Sequence, residues 1–149
     1  MPAEFRKLGI SFQYPDDWTL DDQDALAGQE SVTVYSPGGA FWCVSVHPWP
    51  ADPTELAKAA LDAMRDDYAE LEAESTVETV AGHDLVGYDM NFWYLDLTNS
   101  AAVRCLKTER ATYAVFFQGE DREYDRIRPV FDAITTSLLQ GIESLDDED

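Results

Sequence analysis

Residues 9–18 read GISFQYPDDW. Ile10, Phe12 and Tyr14 alternate with Ser11 and Gln13, the two-residue period of a strand with one buried face. Pro15 has no N–H to give a ladder, so pairing stops there. Asp16 and Asp17 supply turn chemistry, and Trp18 is then placed to fold back over the end of the sheet. The stretch is a strand, a stop and an aromatic lid.

The rest of the chain follows the same grammar. Residues 21–30 (DDQDALAGQE) are acidic and aperiodic, a surface loop. Val32–Tyr35 and the run FWCVSVH at 41–47 flank the turn signal SPGG at 36–39, which makes a hairpin. HPWP at 47–50 breaks that strand with two prolines. A helix start follows, with Asp52 at the N-cap, Pro53 at the first helical position and Glu55 at the capping-box position. Leu56, Ala60, Met64, Tyr68 and Leu71 give it an apolar stripe and predict a helix over 53–73.

Four strands are expected next, at 75–81, 84–95, 101–108 and 112–118, with turns at Gly82-His83, at 97–100 and at 109–111. Such short connections predict an antiparallel meander. In the longest strand Val86, Tyr88, Met90, Phe92 and Tyr94 share one face, while Leu85, Gly87, Asp89, Asn91 and Trp93 share the other. Tyr124, Ile127, Phe131, Ile134 and Leu138 are spaced as the buried stripe of a closing helix over 121–140. Pro129 marks a kink or the true start of that helix, and Gly141 is its expected stop.

The reading is one α+β domain over residues 1–141, with a disordered acidic tail at 142–149. Its core is a single antiparallel sheet of five to seven strands packed by two main helices.

Ten Lys and Arg face thirty Asp and Glu, for a net charge of −20. A surface this negative repels nucleic acid and anionic lipid, so neither is an expected partner. The charge is uneven. Residues 16–30 hold six acids and no base, and 52–78 hold nine acids and two bases, whereas six of the ten bases fall between Arg104 and Arg128. No apolar run approaches a membrane span, and MPAEFRKLG lacks the apolar core of a signal peptide, so the expected compartment is the cytoplasm.

Catalytic patterns are sparse. His47 and His83 sit in no triad motif, and there is no G-x-S-x-G. A Cys43–His47 pair would be about 13 Å apart along a strand, too far for a hydrogen bond. The acidic loop at 16–24 lacks the glycine and terminal glutamate of a calcium-binding loop, so no metal and no cofactor are expected. Cys43 and Cys105 lie in apolar runs and read as reduced, buried thiols.

The aromatics carry the remaining signal. Of four tryptophans, Trp18, Trp42 and Trp93 read as packed between sheet and helices, and Trp49, between two prolines, as an exposed rigid anchor. Trp93 with Asp89, Asn91 and Arg104 is expected to line a shallow pocket on the second face of the sheet. These five residues, Trp49, Asp89, Asn91, Trp93 and Arg104, form the candidate binding set.

The order strand, loop, hairpin, long helix, meander and closing helix resembles the PsbP-like fold. The resemblance rests on Pro15 and Trp18 ending the first strand, on GHDLVGYDMNF at 82–92 after the helix, and on the Tyr124–Leu138 stripe. It covers residues 8–140 and implies an α/β/α sandwich. It brings no shared catalytic residues, and a fold does not fix a function.

The functional expectation is a non-enzymatic protein-interaction module with a protein partner of basic character. A chaperone that masks apolar segments of a secreted partner is one alternative. An enzyme using the Asp89, Asn91 and Trp93 face is another.

Overall fold

The computed structural model describes residues 2–23, 30–48 and 51–147. Nine strands and two helices are defined among them: β1 Ala3–Lys7, β2 Ile10–Tyr14, β3 Thr19–Asp21, β4 Ser31–Tyr35, β5 Phe41–Pro48, α1 Pro53–Asp67, β6 Glu72–Val80, β7 His83–Tyr94, β8 Leu97–Lys107, β9 Ala111–Glu120 and α2 Asp121–Asp147. Seven strands form one sheet in the order β3-β4-β5-β9-β8-β7-β6, and β1-β2 form a separate hairpin. Every pairing is antiparallel. The chain leaves central β5, crosses one face as α1, and re-enters at the far edge as β6. It then returns by the meander β6–β9 to pair with β5.

Each face carries its own core. Under α1, Ala57 and Leu61 pack on Met90, Phe92, Ala101, Val103 and Cys105. On the other face, Tyr124, Ile127, Phe131, Ile134 and Leu138 of α2 pack with Trp42, Val44, Val115 and Phe117. The β1–β2 hairpin adds Phe5, Ile10 and Phe12 to this second core. The result is an α/β/α sandwich.

The quoted stretch folds as a strand, but not in the large sheet. Ile10 and Phe12 are buried, and β2 pairs with β1, a strand that the first residues did not announce. Leu8 and Gly9 both take left-handed φ, 60° and 74°, which makes the two-residue turn between them. After Pro15 the chain turns with Trp18 N–H donating to the Pro15 carbonyl at 3.0 Å. Trp18 is buried edge-on against Phe131, at 5.8 Å between ring centroids. The lid therefore closes on α2.

Three boundaries differ from expectation. Helix α1 stops at Asp67, short of 73, and Tyr68 closes it with an N–H bond to the Met64 carbonyl. Leaving the helix frees the Tyr68 ring to stack on Phe92, 4.2 Å away between centroids. The turn expected at 97–100 lies at Leu95 and Asp96, so β8 begins at Leu97. Helix α2 runs unbroken through Pro129 and past Gly141 to Asp147, so the backbone of 142–147 is helical rather than a disordered tail. Gly141 serves packing instead of stopping: a Cβ there would lie 2.5 Å from Ser11 Oγ and 2.8 Å from the Ser11 carbonyl oxygen.

Candidate functional site

The register of β7 against β8 decides how the candidate residues group. Gly87 pairs with Arg104, Asp89 with Ala102, Asn91 with Ser100 and Trp93 with Thr98. Asp89, Asn91 and Trp93 thus share the sheet face that carries α2, as their alternation predicts, and the pairing of Arg104 with Gly87 puts Arg104 on the same face. They separate into an ion cluster around the buried Arg104 and an open cleft bordered by Asn91 and Trp93.

Arg104 belongs to the cluster. It is 3% exposed, with Nε donating to Glu78 Oε2 at 2.7 Å and Nη2 to Asp89 Oδ1 at 2.6 Å. Nη1 donates to the carbonyls of Tyr88 and Val103 at 3.2 and 3.1 Å. Gly87, opposite Arg104, allows the backbones to approach; a Cβ there would meet the Val103 carbonyl oxygen at 1.7 Å. Arg128 of α2 closes the cluster from above, 3.7 Å from Glu78 and 3.0 Å from Asp132, with its guanidinium over the Phe117 ring. Arg104 and Asp89 are bonded to each other, so this half of the candidate set ties β8 to β6 and β7.

The cleft lies further along β7. Its volume is about 410 Å³, and Glu70, Glu72, Asn91, Trp93, Thr98 and Asp121 line it. Asn91 Nδ2 donates to Ser100 Oγ at 2.8 Å, and Ser100 Oγ donates to Asp121 Oδ1 at 2.8 Å. This relay ties the sheet to the first residue of α2, where a carboxylate is favoured by the helix dipole. Among the described residues three carboxylates and no Lys or Arg border the cleft. Trp93, expected to be packed, is 64% exposed and forms its wall.

Beyond Trp93 the β7–β8 hairpin ends in an apolar tip. Tyr94, Leu95 and Leu97 are all exposed, Leu95 at 77%. The turn residues Leu95 and Asp96 hold φ of 53° and 63°, a left-handed conformation that a bulky leucine adopts at a cost. Four of the six exposed large apolar side chains among the described residues sit here.

Other candidates resolve as follows. Trp49 lies outside the described residues. Trp42 is buried, its Nε1–H donating to Thr135 Oγ1 at 3.0 Å. His47 Nε2 is 2.9 Å from Ser45 Oγ, with no cysteine partner in its bonding. Both cysteines are free. Burial pushes the Cys43 and Cys105 thiols up to about 12. Among the described residues no group of three His, Cys, Asp or Glu is placed to hold a metal ion. Nor is any helix long and apolar enough to cross a membrane.

Glu70, Glu72 and Asp121 were not singled out by sequence, because they sit in segments where acids are common. The tip had a signal, the apolar run WYLDL at 93–97 at a hairpin turn without glycine or asparagine.

The sequence matches no family model and no curated protein. Solved structures do match in shape. The cyanobacterial PsbP of Synechocystis superposes at a TM-score of 0.61 with 14% identity, over 91% of this chain and 90% of that one. A Pseudomonas aeruginosa protein of unknown function, described as a putative regulator, gives 0.58 with 12% identity, over 92% and 95%. The Ran-binding protein Mog1p of Saccharomyces cerevisiae gives 0.56 with 11% identity, over 95% and 92%. At these identities the likeness speaks for architecture alone, and the architecture is the PsbP-like fold.

Proposed function

We propose that this protein is a non-enzymatic interaction module that docks a protein partner through the β7–β8 tip and the acidic cleft behind it. The observation that carries the reading is the tip itself. Trp93, Tyr94, Leu95 and Leu97 are exposed together on a turn whose leucine holds an unfavourable φ. Strain and exposed apolar area both cost stability, and they recur where a surface is kept for a partner. The carboxylates of Glu70, Glu72 and Asp121 select for basic character beside that apolar anchor. Mog1p, which shares the fold, is itself described as binding a protein.

Catalysis on this face is the weaker reading, because Asp89 is held by Arg104 and Asn91 by Ser100. A chaperone for apolar segments calls for a broad apolar surface, whereas four of the six exposed large apolar side chains among the described residues cluster at one tip. The test is capture of partners from native extract at low and high salt, by wild type and by Trp93→Ala and Leu95→Asp variants. Partners should be retained by wild type at low salt and lost from both variants. Equal retention by all three proteins would reject the tip as the docking site.

A further inference from the structure

Among the described residues strand β6 is the outermost strand on its side of the sheet, paired with β7 alone. Its nine residues pair without interruption, from Glu72↔Asn91 to Val80↔His83. Long edges of this kind are usually blunted by proline, a bulge or charge. Here the device is charge, on Glu72, Glu74 and Glu78.

That protection depends on sign. A second copy pairing antiparallel about Thr76 would set Glu74 against Glu78, between two molecules that each carry −20. Like charges directly opposite are destabilising, and opposite charges in the same places are favourable. Glu78 is already held by Arg104, so Glu72 and Glu74 carry most of the attraction.

The two faces of the edge also differ. The glutamates pair with Leu85, Asp89 and Asn91 on the α2 side, whereas Ser75 and Val77 pair with Tyr88 and Val86 on the α1 side. On that α1 side lies a cavity of about 330 Å³ bordered by Thr54, Ala57, Val77, Val86 and Tyr88. Val77 is 64% exposed at its border. An added strand would therefore meet carboxylates on one face and an apolar recess on the other. Glu72 also borders the Trp93 cleft, so edge and cleft are continuous.

We propose that the β6 edge accepts an extended segment of the partner as an eighth strand, a segment that alternates Lys or Arg with apolar residues. Main-chain bonds would supply the attachment and the alternating side chains the selectivity. The inference rests on the docking reading and adds the partner's chemistry and pose.

The probe is a seven-residue capped peptide alternating lysine and valine, titrated into ¹⁵N-labelled protein. Three companions accompany it: the same peptide N-methylated at alternate residues in each of the two phases, and one with glutamate for lysine. The parent peptide should shift β6 amides and slow their hydrogen exchange. One N-methylated phase and the glutamate peptide should fail to bind. Glu72→Gln with Glu74→Gln should weaken the parent by about 3- to 10-fold, while Asp62→Asn on α1 should leave it unchanged.

Binding of both N-methylated phases as tightly as the parent would overturn strand addition, as would shifts confined to Trp93. Either result overturns the edge without touching the docking reading, which stands or falls on the Trp93 and Leu95 variants.

Discussion

Leu95 holds a φ of 53° while 77% exposed, so it bears a backbone cost without a buried contact to offset it. Glycine removes that cost, and Leu95→Gly should raise stability by about 1 kcal/mol in urea denaturation while weakening partner capture. A loss of stability would show that the leucine packs in a way its exposure denies. Trp18 is the opposite case, buried on Phe131. Trp18→Ala should cost about 3–5 kcal/mol, and a cost under about 1 kcal/mol, the range of surface changes, would remove it from the core. At Arg104 the ranking of two variants is the test. Arg104→Met takes a donor from the buried Val103 carbonyl and the part-buried Tyr88 carbonyl and should cost about 1–3 kcal/mol. Asp89→Asn should cost less than about 1 kcal/mol, because the Asp89 side chain is 50% exposed and water replaces the lost partner. An equal cost would mean that the ion pair, rather than carbonyl satisfaction, holds the cluster.

Among the elements, α2 is tied to its surroundings at both ends. Near its start Glu123 accepts a hydrogen bond from the Ser36 hydroxyl in the SPGG turn, and a Cβ at Gly38 would collide with that carboxylate. Towards its end Gly141 lies against Ser11 of β2. In an isolated helix Gly141→Ala would be stabilising by about 1 kcal/mol. Here the methyl group must enter space held by the Ser11 backbone, so the same change should destabilise by about 1–3 kcal/mol. Thermal unfolding of Gly141→Ala reads the sign directly, and a raised Tm would mean that β2 does not pack on this turn. Helix α1 shows the converse at its C-terminus, where stacking of Tyr68 on Phe92 outweighs another turn of helix.

For the whole molecule, burial of the thiols sets the response to thiol reagents and alkali: Cys105 lies in the α1-side core, whereas Cys43 is half-buried rather than buried as expected. Cys43 and Cys105 should label slowly in the native state and fully on unfolding, since burial disfavours the thiolate that reacts. Fast native labelling of either would place its thiol at the surface. Each folded thiol is raised from its ordinary 9.0 to about 12. The native state therefore binds protons that the unfolded chain has released above pH 9. That contribution to stability is complete below 9 and is lost as pH rises towards 12, so urea midpoints of wild type should fall faster over this window than those of a Cys43→Ala, Cys105→Ala double variant. Charge works at longer range. Arg104 and Arg128 are drawn into ion pairs with Glu78, Asp89 and Asp132. Attraction to a basic partner is screened by salt over about 8 Å at physiological ionic strength.

The sequence by itself determined the element order from β4 to α2, the antiparallel meander and the stripe of α2, because alternation, turn residues and helical spacing are local properties of the chain; β1 and β3 it left unread. Ile10, Phe12, Phe131 and Ile134 are buried where their periods put them. It also placed Asp89, Asn91 and Trp93 on one face, since a strand of fixed period orients its own side chains; Arg104 joined them only through the register of β8 on β7. Their fate was decided by tertiary structure. Arg104 is sealed because Glu78 arrives from β6 and Arg128 from α2, both remote in sequence. Trp93 is open because it lies beside Asp121 at the very start of α2 rather than under that helix's apolar stripe, a placement that no local pattern records. The pairing of β2 with β1 outside the large sheet, and the exposed edge of β6, are likewise set by which strands meet. Periodicity tells a residue which way to point; only packing decides whether anything is there to meet it.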